Sequence, residues 1–179
     1  MRSTMRLRIG TGAIIGVALV LCVGGGLLSA SAGRGRAGAS PRAALPPAPP
    51  ADACALLTLA QVSQVLGVSV GAGQRVVSSS PKLCGWDQAG SSGPSAKRVV
   101  TALITVDMFN HEKTPLKGIQ ETQLSGVGDE AHYMTTPGFG TGLSVRKGTF
   151  AFKVRVYGFS QDQIEAKEKA LAQDVIGRL

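Results

Sequence analysis

The chain has 179 residues, room for one domain of ordinary size with flanking segments. Its formal charge of +8 is unevenly spread: Arg2, Arg6, Arg8, Arg34, Arg36 and Arg42 precede the first acid, Asp52, which leaves 13 of the 19 basic residues against all 11 acids in the rest. The high isoelectric point therefore belongs to the segment before Asp52, which excludes a strongly basic nucleic-acid-binding domain; one Trp, two Tyr and five Phe also leave little for base stacking.

The chain opens with the pattern of a secretory leader. Arg2, Arg6 and Arg8 form a basic start, Ala13 to Val23 is apolar apart from Gly16, and Ala30-Ser31-Ala32 supplies the small residues a signal peptidase reads. Cleavage is expected after Ala32, so that the mature chain starts at Gly33. The rival reading is a retained anchor, because Ile9 to Ala32 carries no charge and is long enough to span a bilayer. Leu19-Val20-Leu21-Cys22 starts like a lipid-attachment motif, but Leu21 stands where a small residue belongs, and Cys22 lies inside the apolar run. Residues 33–50 then read as an extended linker, with five prolines and three alanines between Ser40 and Pro50.

Residues 51–179 read as a single α+β domain. Thr58-Leu59-Ala60-Gln61 is a candidate capping box for a first helix that Gly67 stops. Strands are expected over Arg75 to Ser79, Leu83 to Gln88 and Val99 to Met108. In the last of these Val100, Ala102, Ile104, Val106 and Met108 form the apolar face, alternating with Thr101, Leu103, Thr105 and Asp107. A weak helix is expected from Thr114-Pro115, with Gly118 against it. Strands follow over Glu130 to Thr135, Leu143 to Lys147 and Thr149 to Phe159, the last two joined by a tight turn at Lys147-Gly148 that sets Arg146 opposite Thr149. Ser160 to Gln163 reads as a second capping box, opening a helix to Leu179 with Ile164, Leu171, Val175 and Leu179 on one stripe. This order predicts an antiparallel sheet of five to six strands with helices on one face. In the final hairpin, Leu143, Val145, Phe150, Phe152, Val154 and Val156 share the core face. Ser144, Arg146, Thr149, Ala151, Lys153, Arg155 and Tyr157 share the other, where Arg146, Lys153 and Arg155 form a small basic patch: a solvated face or, on the sharper reading, a docking surface for an anionic partner.

Cys54 and Cys84 are the cysteines left after an exported leader, a disulfide candidate whose other reading is two buried thiols. Gly67-Val68-Ser69-Val70-Gly71 matches the nucleophile-elbow pattern, and Asp107 or Asp129 with His132 would complete the order Ser, Asp, His. That chemistry needs a strand before the serine and a helix after it, whereas here the helix comes first. Gly138 to Gly142 and Gly126 to Glu130 read as turns, with Asp129 and Glu130 solvated or capping. His111 reads as a surface residue, His132 as a satisfied structural histidine and Trp86 as a core residue beside Cys84. The two cysteines and two scattered histidines lack metal-ligand spacing, and no cofactor is expected.

These landmarks resemble a bacterial family of secreted, often lipid-anchored proteins, domain of unknown function 3558. The likeness rests on Asp52-Ala53-Cys54-Ala55-Leu56-Leu57, Leu66-Gly67, Cys84-Gly85-Trp86, Gly126-Val127-Gly128-Asp129-Glu130-Ala131 and Val145-Arg146-Lys147-Gly148, in that order across nearly all of residues 51–179. It implies an extracytoplasmic module with paired cysteines, a PsbP-like sandwich and no established catalysis. The expected function is an exported, non-enzymatic binding module, secreted or tethered to the outer face of the membrane through its N-terminal segment, for an envelope protein, a lipid or a wall component. The alternatives are an accessory envelope protein with no small ligand and a weak serine hydrolase through Ser69. A deep pocket with convergent polar groups would favour the first, a smooth surface with one apolar patch the second, and Ser69 within reach of His132 the third.

Overall fold

The computed structural model describes residues 48–114 and 116–179. The expected signal peptide or anchor, Cys22, nearly all of the linker, and Pro115 lie outside the described residues. Among the described residues no helix is long and apolar enough to cross a membrane.

A turn of 3-10 helix at Ala53–Ala55 leads into α1, Leu59–Leu66. Thr58 caps α1 as its sequence promises: its hydroxyl accepts from Gln61 N–H at 3.3 Å, and its own N–H donates to Gln61 Oε1 at 2.9 Å. Gly67, at φ 72°, ends the helix in the left-handed conformation that suits glycine. Then come β1 (Gln74–Arg75), β2 (Leu83–Asp87), β3 (Arg98–Ile104), α2 (Val106–Glu112), β4 (Gln120–Leu124), β5 (Glu130–Thr135), β6 (Leu143–Lys147), β7 (Phe150–Tyr157) and α3 (Gln161–Ile176). Together they form a mixed α+β fold on one antiparallel sheet of seven strands, ordered β1-β2-β3-β7-β6-β5-β4. Two meanders meet where β3 pairs with β7.

The strand count exceeds the expected five to six because of β4. Its sequence, Gln-Glu-Thr-Gln-Leu, has no apolar alternation, since an edge strand pairs on one side only and four of these residues are polar. The third expected strand, Val99 to Met108, is in fact a strand followed by a helix. Thr105 turns the chain by accepting from Met108 N–H at 3.1 Å, which caps α2. Among the described residues no helix follows Thr114; the helix of this region is Val106–Glu112.

One sheet face is packed under α3, and α1 packs against α3. Trp86, Val99, Leu143, Val145, Phe152, Val154 and Val156 are buried on it, against Leu171 and Val175 of α3. Burying each such side chain stabilises the fold by roughly 1.5–3 kcal/mol. The expected face of β3 is reversed. Val99 and Thr101 point into this core and Val100 and Ala102 away from it, because Thr101 is paired with Val154 and spends its hydroxyl on Ala53 C=O at 3.0 Å. A hydroxyl so satisfied is tolerated inside.

The β6–β7 hairpin has the expected faces with a shifted turn. Lys147 pairs with Phe150 and Val145 with Phe152, so Gly148-Thr149 makes the turn rather than Lys147-Gly148, with Gly148 at φ 57°. Moving the turn by one residue moves both strands together, which preserves the parity of the pairs. Asp129 fixes it there, accepting from Gly148 N–H at 2.7 Å. At the last helix Ser160 is the N-cap residue, yet its side chain makes no capping bond.

Cys54 and Cys84 form a disulfide with 5.0 Å between their Cα atoms, tying the segment before α1 to β2. Trp86 is buried close by, and the chain passes over it at Gly73, where a Cβ would come 2.6 Å from Trp86 Nε1.

Candidate functional site

The second sheet face carries the polar chemistry. Antiparallel pairing lines up His132 of β5 with Ser144 of β6, and Ser144 with Lys153 of β7. The unforeseen α2 lies over this row and lowers Glu112 into it. Glu112 Oε2 accepts from Ser144 Oγ at 2.7 Å, and Oε1 from Lys153 Nζ at 2.5 Å. His132 Nε2 lies 3.6 Å from Oε2, beyond hydrogen-bond length, with no nearer partner among the described residues. Phe109 of α2 seals the row with its ring 4.6 Å from that of His132. Burial pushes the Glu112 carboxyl up, but His132, Lys153 and Ser144 outweigh it and hold the pKa down at about 2. Glu112 is thus a carboxylate that pins α2 to the sheet. Ser144 and His132 are fully covered, so they are placed to hold and not to meet a substrate.

Beside this row is a cleft of about 360 Å³, between the end of α2, the connection to β4, and strands β5 and β7. Leu116, Ile119 and Met134 make its apolar wall, and Lys153, Arg155 and Glu112 its polar one. A volume of this size falls in the range of small-molecule sites, roughly 300–1,000 Å³. Arg155 is fastened by backbone: its Nε donates to Thr141 C=O at 3.3 Å and its Nη2 to Phe139 C=O at 3.0 Å. The guanidinium also lies over Tyr157, 5.3 Å from the ring centre. The Gly138–Gly142 turn therefore has a use that sequence reasoning did not find. It offers two carbonyls, and bare Gly142 leaves room, since a Cβ there would come 2.8 Å from Arg155 Cγ.

The structure places the three patch residues, Arg146, Lys153 and Arg155, on the same sheet face but in different company. Arg146 Nη2 donates to Glu130 Oε1 at 2.8 Å and does not line the cleft. Glu130 also pairs with Lys113, and both cations hold its carboxyl below the usual range. Lys153 is paired with Glu112, and Arg155 has no carboxylate partner among the described residues. A second hollow, about 790 Å³ and more open, lies at the far end of this face near Val76, Leu83, Val100 and Tyr157. Its cation, Arg98, already faces Asp87 at 3.1 Å.

The elbow residues are not brought together. Ser69 follows α1 and precedes the bridge of Val70 to Gln88, so the helix stands before the serine, the reverse of the required order. His132 is in β5, four strands along the sheet from β2, about 19 Å at ordinary strand spacing. Asp129 is engaged with Gly148 and Lys147. Asp107 lies in the first turn of α2.

No family model, curated protein or solved structure matches the chain.

Proposed function

We propose that this chain is an exported binding module, secreted or held at the outer face of the membrane, and that the cleft beside α2 is its ligand site. The observation that carries this reading is Arg155, held rigidly by two carbonyls at the rim of an apolar cleft while its Nη1 makes no bond among the described residues. Convergence of a fixed polar group on an apolar wall is how small-ligand sites are built. Export draws on the leader pattern and on the Cys54–Cys84 disulfide, which suits an oxidising compartment. The same reading includes the likeness to domain of unknown function 3558. An accessory protein with no small ligand would have no need of the cleft, and the separation of Ser69 from His132 speaks against hydrolysis through that serine.

Two measurements test the proposal. Protein-observed NMR with a fragment library should shift the amides of Ile119, Met134 and Gly142 ahead of others; hits confined to other regions would overturn the site. Intact mass of secreted protein should begin at Gly33, and a mass retaining residues 1–32 would mean an uncleaved anchor.

A further inference from the structure

The cleft beside α2 has one charge left over. Its walls hold two cations, Lys153 and Arg155, and a single carboxylate, Glu112. Lys153 Nζ and Glu112 Oε1 neutralise each other at 2.5 Å. Among the described residues Arg155 hydrogen-bonds only to carbonyls, through Nε and Nη2, and rests over the Tyr157 ring. Carbonyl acceptors orient a guanidinium without cancelling its charge, and arginine does not lose its proton at any ordinary pH. Leu116, Ile119 and Met134 make an apolar wall, with the polar side chains of His111, Thr114 and Thr136 at its edges. A neutral apolar occupant would cover that wall and take water from an uncompensated cation, which is unfavourable. A polyanion would find one free charge and a neighbouring carboxylate, Glu112. An occupant with one negative charge and an apolar body satisfies both walls.

We propose that the cleft binds a small amphipathic monoanion, its carboxylate or similar headgroup on Arg155 Nη1 and its alkyl or aromatic body against Ile119 and Met134. This rests on the reading of the cleft as the ligand site. The Gly138–Gly142 turn is then the device that presents the arginine, and Glu112 sets the limit of one charge by occupying Lys153.

The test is titration of the full mature chain with decanoate, decanol and decylammonium below their micelle-forming concentrations, followed by calorimetry and by amide shifts. Decanoate should bind with shifts at Ile119, Met134 and Gly142, about ten-fold or more tighter than decanol, as a charge-assisted hydrogen bond allows. Decylammonium should be weakest. Arg155→Met should bring decanoate down to the level of decanol, and Arg155→Lys should recover part of the difference. Thermal unfolding checks that the variants fold; if Arg155→Met does not, the ranking of the three probes on the unaltered protein still decides. Decanol binding as tightly as decanoate, with cleft amides shifting, would overturn the monoanion and leave the cleft as a site. No cleft shift with any probe would overturn the monoanion as well, and the fragment screen then decides the cleft itself. Association with phosphatidylglycerol vesicles in place of decanoate binding would also overturn it, in favour of a membrane surface.

Discussion

Two glutamates, Glu168 fully buried on one face of the sheet and Glu112 partly buried on the other, have opposite fates. Glu168 of α3 is fully buried in the apolar core and accepts Val156 N–H through Oε1 at 2.9 Å, while Oε2 has no partner among the described residues. Strand β6 ends opposite Val154, so this N–H lies past the reach of its ladder, and Glu168 satisfies it. Burial raises the carboxyl to about 8. Glu112, on the other face, sits among Lys153, Ser144 and His132, and these hold it at about 2 despite burial. The same side chain is a neutral hydrogen-bonding plug in a dry face and a charged clamp in a polar one. What differs is the company the partner strands supply.

The largest expected effect breaks this contrast at Glu168. The folded state holds its proton more tightly than the unfolded chain, so stability contributed by the group is fully present below pH 4.5 and is lost as pH rises towards 8. The loss amounts to at most about 4–5 kcal/mol. Glu168→Gln keeps the acceptor for Val156 and removes the ionisation. Urea unfolding should find the variant close to the parent at pH 5 and more stable at pH 9. Equal pH slopes for the two proteins would show that Glu168 does not hold its proton in the fold.

Truncation on the dry face comes next. Phe152→Ala should cost about 3–5 kcal/mol, because Phe152 is fully buried beneath α3. A loss below about 1 kcal/mol in denaturant unfolding would mean the core face is misassigned. Joint replacement of Cys54 and Cys84 by serine should cost about 3–4 kcal/mol, from the 30-residue separation the bridge closes. Thiol labelling of unfolded, unreduced protein should find no free thiol at either residue.

The faces also differ in how legible they were. The core-facing set of the last hairpin follows from alternation alone, so Phe152 and Val154 face the core as the sequence predicts although the turn lies one residue later. Alternation says which residues share a face but not what covers it. In β3 it selected Val100 and Ala102 for the core, and the choice went to Val99 and Thr101, since a hydrogen bond to Ala53 makes a buried threonine acceptable. The cleft was hidden for a related reason. Thr105 caps a helix inside what reads as one continuous strand, and β4 has no apolar rhythm. Without them Glu112, Ile119 and Met134 have no reason to meet. Arg155 and Lys153 could be named from the hairpin, but the partners that distinguish them come from segments remote in the chain.

Glu112 gives the smallest of these effects and the sharpest test of the polar face. Its carboxyl is depressed in the fold, so the stability it contributes is fully present above pH 4.5 and is lost as pH falls through about 2, the reverse of Glu168. Glu112→Gln keeps the shape but removes the charge that Lys153 and Ser144 face, and should cost about 1–3 kcal/mol at pH 7, falling towards nothing near pH 2. The consequence for the cleft is more telling than the stability. With Glu112 neutral, Lys153 is no longer cancelled, and the site carries two free positive charges in place of one. Decanoate should bind Glu112→Gln more tightly than the parent, while decanol should not distinguish them. If α2 is instead released by the substitution, amides of Phe109 and His132 will shift in the unliganded protein and both ligands will weaken together. Unchanged decanoate affinity in a folded Glu112→Gln, with α2 in place, would mean that Lys153 does not reach the ligand and that Arg155 alone supplies the attraction.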